Sequence, residues 1–150
     1  SLKEIEELDQ VTLSEPHLRS AQKCLAKEVV GLVHGEAGVN SALKSTEFFF
    51  GKVIEGVSEK EISSIFSDVP SVSLSKDLLS SGTQLLEVLS QCPLFKSKGE
   101  ARRALQQKGV YINNKPAHEM GEEMNASMLV TEKSMVVRKG KKNYCVVKFD

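Results

Sequence analysis

Apolar residues recur every three to four positions along the first 66 residues and gather into short strand-like runs near the end of the chain, so helices are expected first and strands last. In the opening SLKEIEEL, Leu2, Ile5 and Leu8 share one stripe, which predicts a short amphipathic helix over residues 1–9. Ser14, Glu15 and Pro16 supply a cap, a first-turn acid and an early proline, and Leu18, Ala21, Leu25, Val29 and Leu32 then repeat until Gly35. That spacing predicts a helix of about five turns. A further helix is expected from Glu36 to Phe50, with Val39, Leu43, Thr46 and Phe50 inward and Gly51 as its stop, and a shorter one over EKEISSIF, residues 59–66.

The texture changes at SDVPSVSLSKDLLSSGT, residues 67–83, where seven serines and threonines, one proline and one glycine accompany few apolar side chains. Such composition predicts a linker, over 67–81, in which Val69, Val72 and Leu74 are available to lie against a neighbouring surface. Leu85, Leu86, Val88 and Leu89 then predict a helix that stops at Cys92 and Pro93. Ser97 and Glu100 match the capping box S-x-x-E, which starts a second helix at Lys98. Its inner stripe is Ala101, Ala104 and Leu105, and Gly109 is expected as the left-handed residue that ends it. VYINN reads as a strand, the acidic stretch 118–127 as a connection, and SMVVRKGKKNYCVVKF as a hairpin turning at 139–143 around Gly140. The fold class is therefore α+β: a helical segment, residues 1–66, then a small domain, residues 82–150, with two helices on a small, mainly antiparallel sheet.

Composition changes this picture through charge. Lys plus Arg and Asp plus Glu each number 20 and cancel over the chain. Residues 1–81 nevertheless hold 8 basic and 13 acidic side chains, whereas residues 82–150 hold 12 and 7, so the second half is the candidate polyanion binder. The three cysteines, Cys24, Cys92 and Cys145, lie far apart and form no C-x-x-C pair, which argues against a disulfide framework or thiolate metal site and for a reducing compartment. No apolar run approaches the ~20 residues that cross a bilayer, so a soluble protein is expected. Ser1 stands directly in a helical pattern, which suggests a piece of a longer chain.

The cations are clustered. Lys98, Arg102 and Gln106 fall at i, i+4 and i+8, opposite the expected inner stripe, with Arg103, Gln107 and Lys108 beside them; R-K-G-K-K, residues 138–142, forms the hairpin turn. A nucleic-acid backbone is bound by several cations held on one surface, and a capped helix start adds amides that suit a phosphate. The two tyrosines, Tyr111 and Tyr144, are the chain's only ones and tryptophan is absent, so backbone reading of a folded RNA fits better than a stacking platform. His34 precedes Gly35 at a helix end, His17 and His118 stand apart with no paired metal-ligand spacing, and GEAG, residues 35–38, lacks the Lys-Ser/Thr of a phosphate loop. No catalytic constellation is present.

Order and spacing in KSKGEARRALQQKGVYINN, followed by RKGKKNY, resemble the RNA-binding domain first recognised in the fourth protein of the ribosomal small subunit, here termed the S-four-like domain. LRSAQKCLAKEVVGLVHGEAGVNSALKSTEFFFG, residues 18–51, resembles the helical region that follows the catalytic domain of bacterial-type tyrosyl-tRNA synthetases. Together they imply the end of a helical anticodon-binding domain and an appended tRNA-binding domain. The resemblance implies RNA contacts at Lys96, Ser97, Lys98, Arg102, Arg103, Gln106, Lys108, Asn113, Lys115, Arg138, Lys139, Lys141 and Lys142. It also implies a partner, tRNA(Tyr), held near the anticodon stem and variable arm, and a bacterial cytoplasmic or organellar setting. ATP and tyrosine would bind a catalytic domain outside this chain, through which the parent would form a homodimer; no cofactor is expected here. The H-x-G-H and K-M-S-K-S signatures of that domain do not occur, and K-S-K at 96–98 echoes the second only superficially, so the piece is expected to be inactive alone. The alternative is an rRNA-binding adaptor or the RNA-docking arm of a modification enzyme.

Overall fold

The computed structural model describes residues 1–117 and 121–150, and the chain divides into two compact units, Ser1–Thr46 and Glu47–Asp150. His118 lies outside the described residues, as does the start of the acidic connection.

In the first unit, helix α1 covers Leu2–Ser14 and so runs a turn beyond the predicted nine residues. Ser1 caps it, its hydroxyl accepting from the Glu4 amide at 3.3 Å while the Glu4 carboxylate returns to the terminal amine. Ser14 does not cap the next helix: its hydroxyl donates to the Gln10 carbonyl at 2.9 Å inside α1. Pro16–Leu18 then form a single 3₁₀ turn, and Arg19, at φ 53°, breaks it, so α2 begins at Ser20 and not at the proline.

Helix α2 is Ser20–Phe49, interrupted at Gly35 by φ 69° and ψ −177°, a backbone region essentially reserved for glycine. The bend sets Lys23, Ala26, Lys27 and Val30 across a cavity of about 250 Å³ from Val39, Ala42, Leu43 and Thr46. Leu25, Val29, Leu32 and Val33 are exposed, and so are Leu43 and Thr46, expected inward with the buried Val39. Phe50 is 87% exposed, and Phe48 at 3% takes the buried place expected for it.

The second unit is built on a five-stranded sheet of order β1-β5-β4-β2-β3, comprising β1 Ser71–Leu74, β2 Val110–Ile112, β3 Lys115–Pro116, β4 Ser134–Lys139 and β5 Asn143–Phe149. All neighbours are antiparallel except β1 and β5, which run parallel with Ser71 opposite Val146 and Leu74 opposite Phe149. Residues 67–81, expected as a linker, thus supply the edge strand and a 3₁₀ turn, Lys76–Leu79. The serines at 71 and 73 face solvent, while Val72 and Leu74 pack on the core, an alternation that two apolar residues suffice to anchor.

Strand alternation sorts the core into two layers. Val110, Met135, Val137, Cys145, Val147 and Phe149 cluster with helix α4, Leu85–Gln91, and helix α5, Lys98–Gln106. Val136, Tyr144 and Val146 cluster on the other side with Phe48, Ile54, Val57, Ile62 and Phe66, the last two carried on and just after helix α3, Glu59–Ile65. The Tyr144 ring meets Phe49 edge-on at 5.2 Å and its hydroxyl donates to the Phe48 carbonyl at 3.1 Å. The expected two-layer domain beginning at residue 82 is therefore a three-layer unit, because a sheet apolar on both faces needs cover on both. Cys92 and Cys145 are free thiols in this core; the neighbouring Cys145 thiol and burial push Cys92 far above the ordinary thiol range, so it stays neutral. No described helix is long and apolar enough to cross a membrane.

Asn113 and Asn114, at φ 51° and 63°, turn β2 into β3 with both central residues left-handed, which asparagine tolerates without a glycine. The Asn113 side chain, expected to face RNA, is buried: its oxygen accepts from the Val136 amide at 2.9 Å and its nitrogen donates to the Met128 carbonyl at 2.8 Å. Asn114 donates to the Phe48 and Lys52 carbonyls at 2.9 and 2.8 Å, tying the turn to the layer beneath the sheet. Replacing Asn113 with alanine leaves an enclosed donor and an acceptor unmatched, so urea denaturation is expected to show a loss of about 2–4 kcal/mol. An unchanged midpoint would remove this side chain from the account of the turn.

Candidate nucleic-acid interface

Helix α5 starts where Ser97 accepts from the Glu100 amide at 3.2 Å. The reciprocal half of the capping box is displaced: the Glu100 carboxylate passes the cap amide and accepts from the Lys96 amide at 2.8 Å. Its other oxygen lies 2.5 Å from Lys139 Nζ at the end of β4. Lys139 also donates to the Leu94 carbonyl at 3.2 Å and stands 5.3 Å from the centre of the Phe95 ring. The Lys139 bond, then the Lys96 amide, hold the Glu100 carboxyl below its ordinary value.

The other end of α5 departs from expectation. Lys108, not Gly109, takes the left-handed conformation, at φ 56°. The Lys108 amide donates to the Leu105 carbonyl and the Gly109 amide to the Ala104 carbonyl, each at 2.9 Å, the paired bonds of a Schellman cap. The Gly109 carbonyl then accepts from the Gly140 amide at 2.8 Å, stitching the end of the helix to the β4–β5 turn. Both ends of α5 are thus fastened to the hairpin, one by an ion pair and one by a backbone bond.

This geometry sorts the predicted contacts. Lys96, Arg102, Arg103, Lys108, Lys141 and Lys142 are exposed and make no ion pair among the described residues. Gln106 is exposed beside them, and the Ser97 hydroxyl is engaged as the cap. At 100° per residue, Arg103 lies on the Glu100 side of α5. Lys98 and Arg102 flank the buried Ala101 and Leu105 on the other side instead of standing opposite them, and Lys98 pairs with Glu87 of α4.

Four further residues leave the group. Lys139 is engaged as described, and Asn113 is buried. Arg138 faces the other side of the sheet, its guanidinium 3.9 Å from the centre of the Tyr111 ring, and donates to the Gly140 carbonyl at 3.2 Å. Lys115 is exposed at the end of β2 away from Gly140, where it lines a cavity of about 390 Å³ with Glu55, Asn113 and Ser127.

The Glu100–Lys139 pair and the Tyr111–Arg138 stack escaped the sequence reading. The first had no signal beyond the capping box that already accounted for Glu100; the second could have been found from strand register, which sets Tyr111 opposite Arg138. Among the described residues no group of three or more His, Cys, Asp or Glu could hold a metal ion.

Residues 61–147 match the family model of the SYY-like C-terminal domain of tyrosine–tRNA ligase. The chain belongs to that family. Its match begins within α3 and runs through β1, so the family's domain includes the segment expected as a linker. The chain is 37% identical over 149 residues to a tyrosine–tRNA ligase of Roseiflexus castenholzii, covering 99% of this chain and 35% of that protein. It is 38% identical over 146 residues to one of Rhodopirellula baltica, covering 97% and 33%. An Opitutus terrae tyrosine–tRNA ligase is 36% identical over 149 residues, at 99% and 35%. The chain therefore spans about a third of the length of the curated relatives it matches.

Two measurements follow from the cap and the ion pair. Glycine at position 108 relieves the left-handed strain of a side-chain-bearing residue, so Lys108→Gly is expected to stabilise the unit by about 0.5–1 kcal/mol in urea denaturation. Because the folded Glu100 carboxyl titrates below the ordinary glutamate range, the stability it lends is present above that range and is lost as pH falls through the lower folded value. The Gly140 amide resonance is expected to move in that acid window, and to lose the step in Glu100→Gln.

Proposed function

We propose that this chain is the tRNA-binding C-terminal region of a tyrosine–tRNA ligase, holding tRNA(Tyr) by its backbone near the anticodon stem and variable arm. The observation that carries the reading is the double fastening of α5 to the β4–β5 hairpin, through Glu100–Lys139 and Gly109–Gly140. It holds together the two stretches that carry exposed cations: Arg102 and Arg103 on the helix, Lys108 at its end, and Lys141 and Lys142 on the turn. The names of the relatives support the choice of tRNA over other polyanions.

Tyrosylation itself belongs to the part of the parent beyond this chain, where ATP and tyrosine would bind and where a homodimer would form, in the bacterial cytoplasm or an organelle matrix. The exposed stripe Leu25, Val29, Leu32 and Val33 suits packing against that part.

Binding through about six phosphates gives a log K that falls against log salt with a slope of roughly −4 to −5. Arg103→Glu combined with Lys141→Glu is expected to weaken tRNA(Tyr) binding at least tenfold and to flatten that slope by about two, with folding intact. A flat salt dependence in the unaltered chain, or preference for rRNA fragments in competition, would overturn the reading.

A further inference from the structure

We propose that Glu100 and Lys139 are positioning residues for RNA binding, and that Lys139, although it lies in the basic run R-K-G-K-K, is not a phosphate ligand. The inference rests on the tRNA-binding reading above and goes further by assigning opposite roles to neighbouring lysines.

The Lys139 ammonium is spent inside the unit. One direction is taken by Glu100 Oε1 at 2.5 Å, a second by the Leu94 carbonyl at 3.2 Å, and the Phe95 ring closes in at 5.3 Å. Both partners of the pair are mostly screened from water, with 31% of the Lys139 side chain and 27% of the Glu100 side chain exposed. A phosphate approaching Lys139 would compete with a carboxylate already in contact and leave one of its partly enclosed oxygens without its cation, which is unfavourable. Lys141 and Lys142, two and three residues on, are exposed and meet no such obstacle.

What the pair does is mechanical. Glu100 sits in the first turn of α5 and holds both the Lys96 amide and the last residue of β4, so one carboxylate locks the approach to the helix, the helix and the hairpin together. The exposed cations come from the stretches this lock joins: Lys96, Arg102, Arg103 and Lys108 from the approach to α5, the helix and its end, Lys141 and Lys142 from the turn after β4. Simultaneous contact with a rigid backbone needs their spacing fixed in advance, which is the advantage of preorganisation.

The two roles predict opposite signs. Glu100→Gln removes a negative charge from the midst of the patch and releases Lys139. If only charge mattered, RNA would bind more tightly. If the pair positions the patch, binding weakens.

The test is tRNA(Tyr) affinity and its salt slope for the 150-residue chain, Glu100→Gln, Lys139→Met and the double variant, with urea midpoints to confirm folding. Expected are losses of about five- to tenfold in each single variant and a double variant no worse than either, because residues acting as one contact are non-additive. Lys139→Arg, which keeps the pair, is expected to bind as the parent does. Tighter or unchanged binding by Glu100→Gln, or a loss confined to Lys139→Met with the slope falling by about one, would overturn the proposal and make Lys139 a phosphate ligand. Absence of salt-dependent binding by the unaltered chain would instead defeat the tRNA-binding reading, and this proposal with it.

Discussion

The β4–β5 pairing governs the second unit. Val136 stands opposite Val146 on one face and Val137 opposite Cys145 on the other, and all four are buried. A ladder apolar on both sides cannot present a face to water, so it recruits α4 and α5 to one side and the segment from Phe48 to Phe66 to the other. Charged side chains are then excluded from most of the sheet. They are left with the hairpin tip, the outer surface of α5 and the strand ends, where the free cations are found. The basic surface is in this sense a consequence of the core: hydrophobic burial on both faces, worth roughly 25 cal/mol per Å² of apolar area, dictates where charge is allowed.

Confinement alone would not make one surface out of two stretches some 40 residues apart. Like charges repel, and a helix and a turn bearing free lysines and arginines would be expected to splay unless something holds them. The Gly109–Gly140 backbone bond and the Glu100–Lys139 pair supply that restraint at opposite ends of α5. The pair contributes through geometry more than through net electrostatics, since a partly exposed ion pair is worth little on its own. Its value lies in using one carboxylate for three ends: a helix start, a preceding amide and a strand terminus.

These relations mark the limit of what the sequence could disclose. The short apolar runs in SMVVRK and NYCVVKF, the glycine between them and the serine before α5 were legible, because each is a local rule that tertiary packing does not override. Strand β1 was not, since its partner lies some 75 residues ahead and its two outward serines give it the composition of a connection. The helical spacing of Leu25, Val29 and Leu32 is plain in the sequence, yet periodicity says only that a face wants cover, not that this stretch of chain supplies it. At the site, charge counting found every free cation but could not separate them from Lys98, Lys139 and Arg138, whose partners come from α4, α5 and β2 respectively. Lys108 misled for a simpler reason: glycine is the usual left-handed cap, and the chain places one at the next position.

The same partners bear on how an RNA would be discriminated. Tyr111 is covered by the Arg138 guanidinium and Tyr144 is enclosed with Phe48 and Phe66, so neither tyrosine ring is open to an incoming base. The remaining chemistry at the patch is that of ammonium, guanidinium and amide donors, which read phosphates and carry no sequence information directly. Selectivity at such a surface has to come from distance, with cations at fixed separations matching phosphates at fixed separations on a folded RNA, as shape recognition of A-form backbones requires. Rigidity between α5 and the hairpin is then a condition of specificity as well as of affinity, and the Gly109–Gly140 bond and the Glu100–Lys139 pair are what provide it.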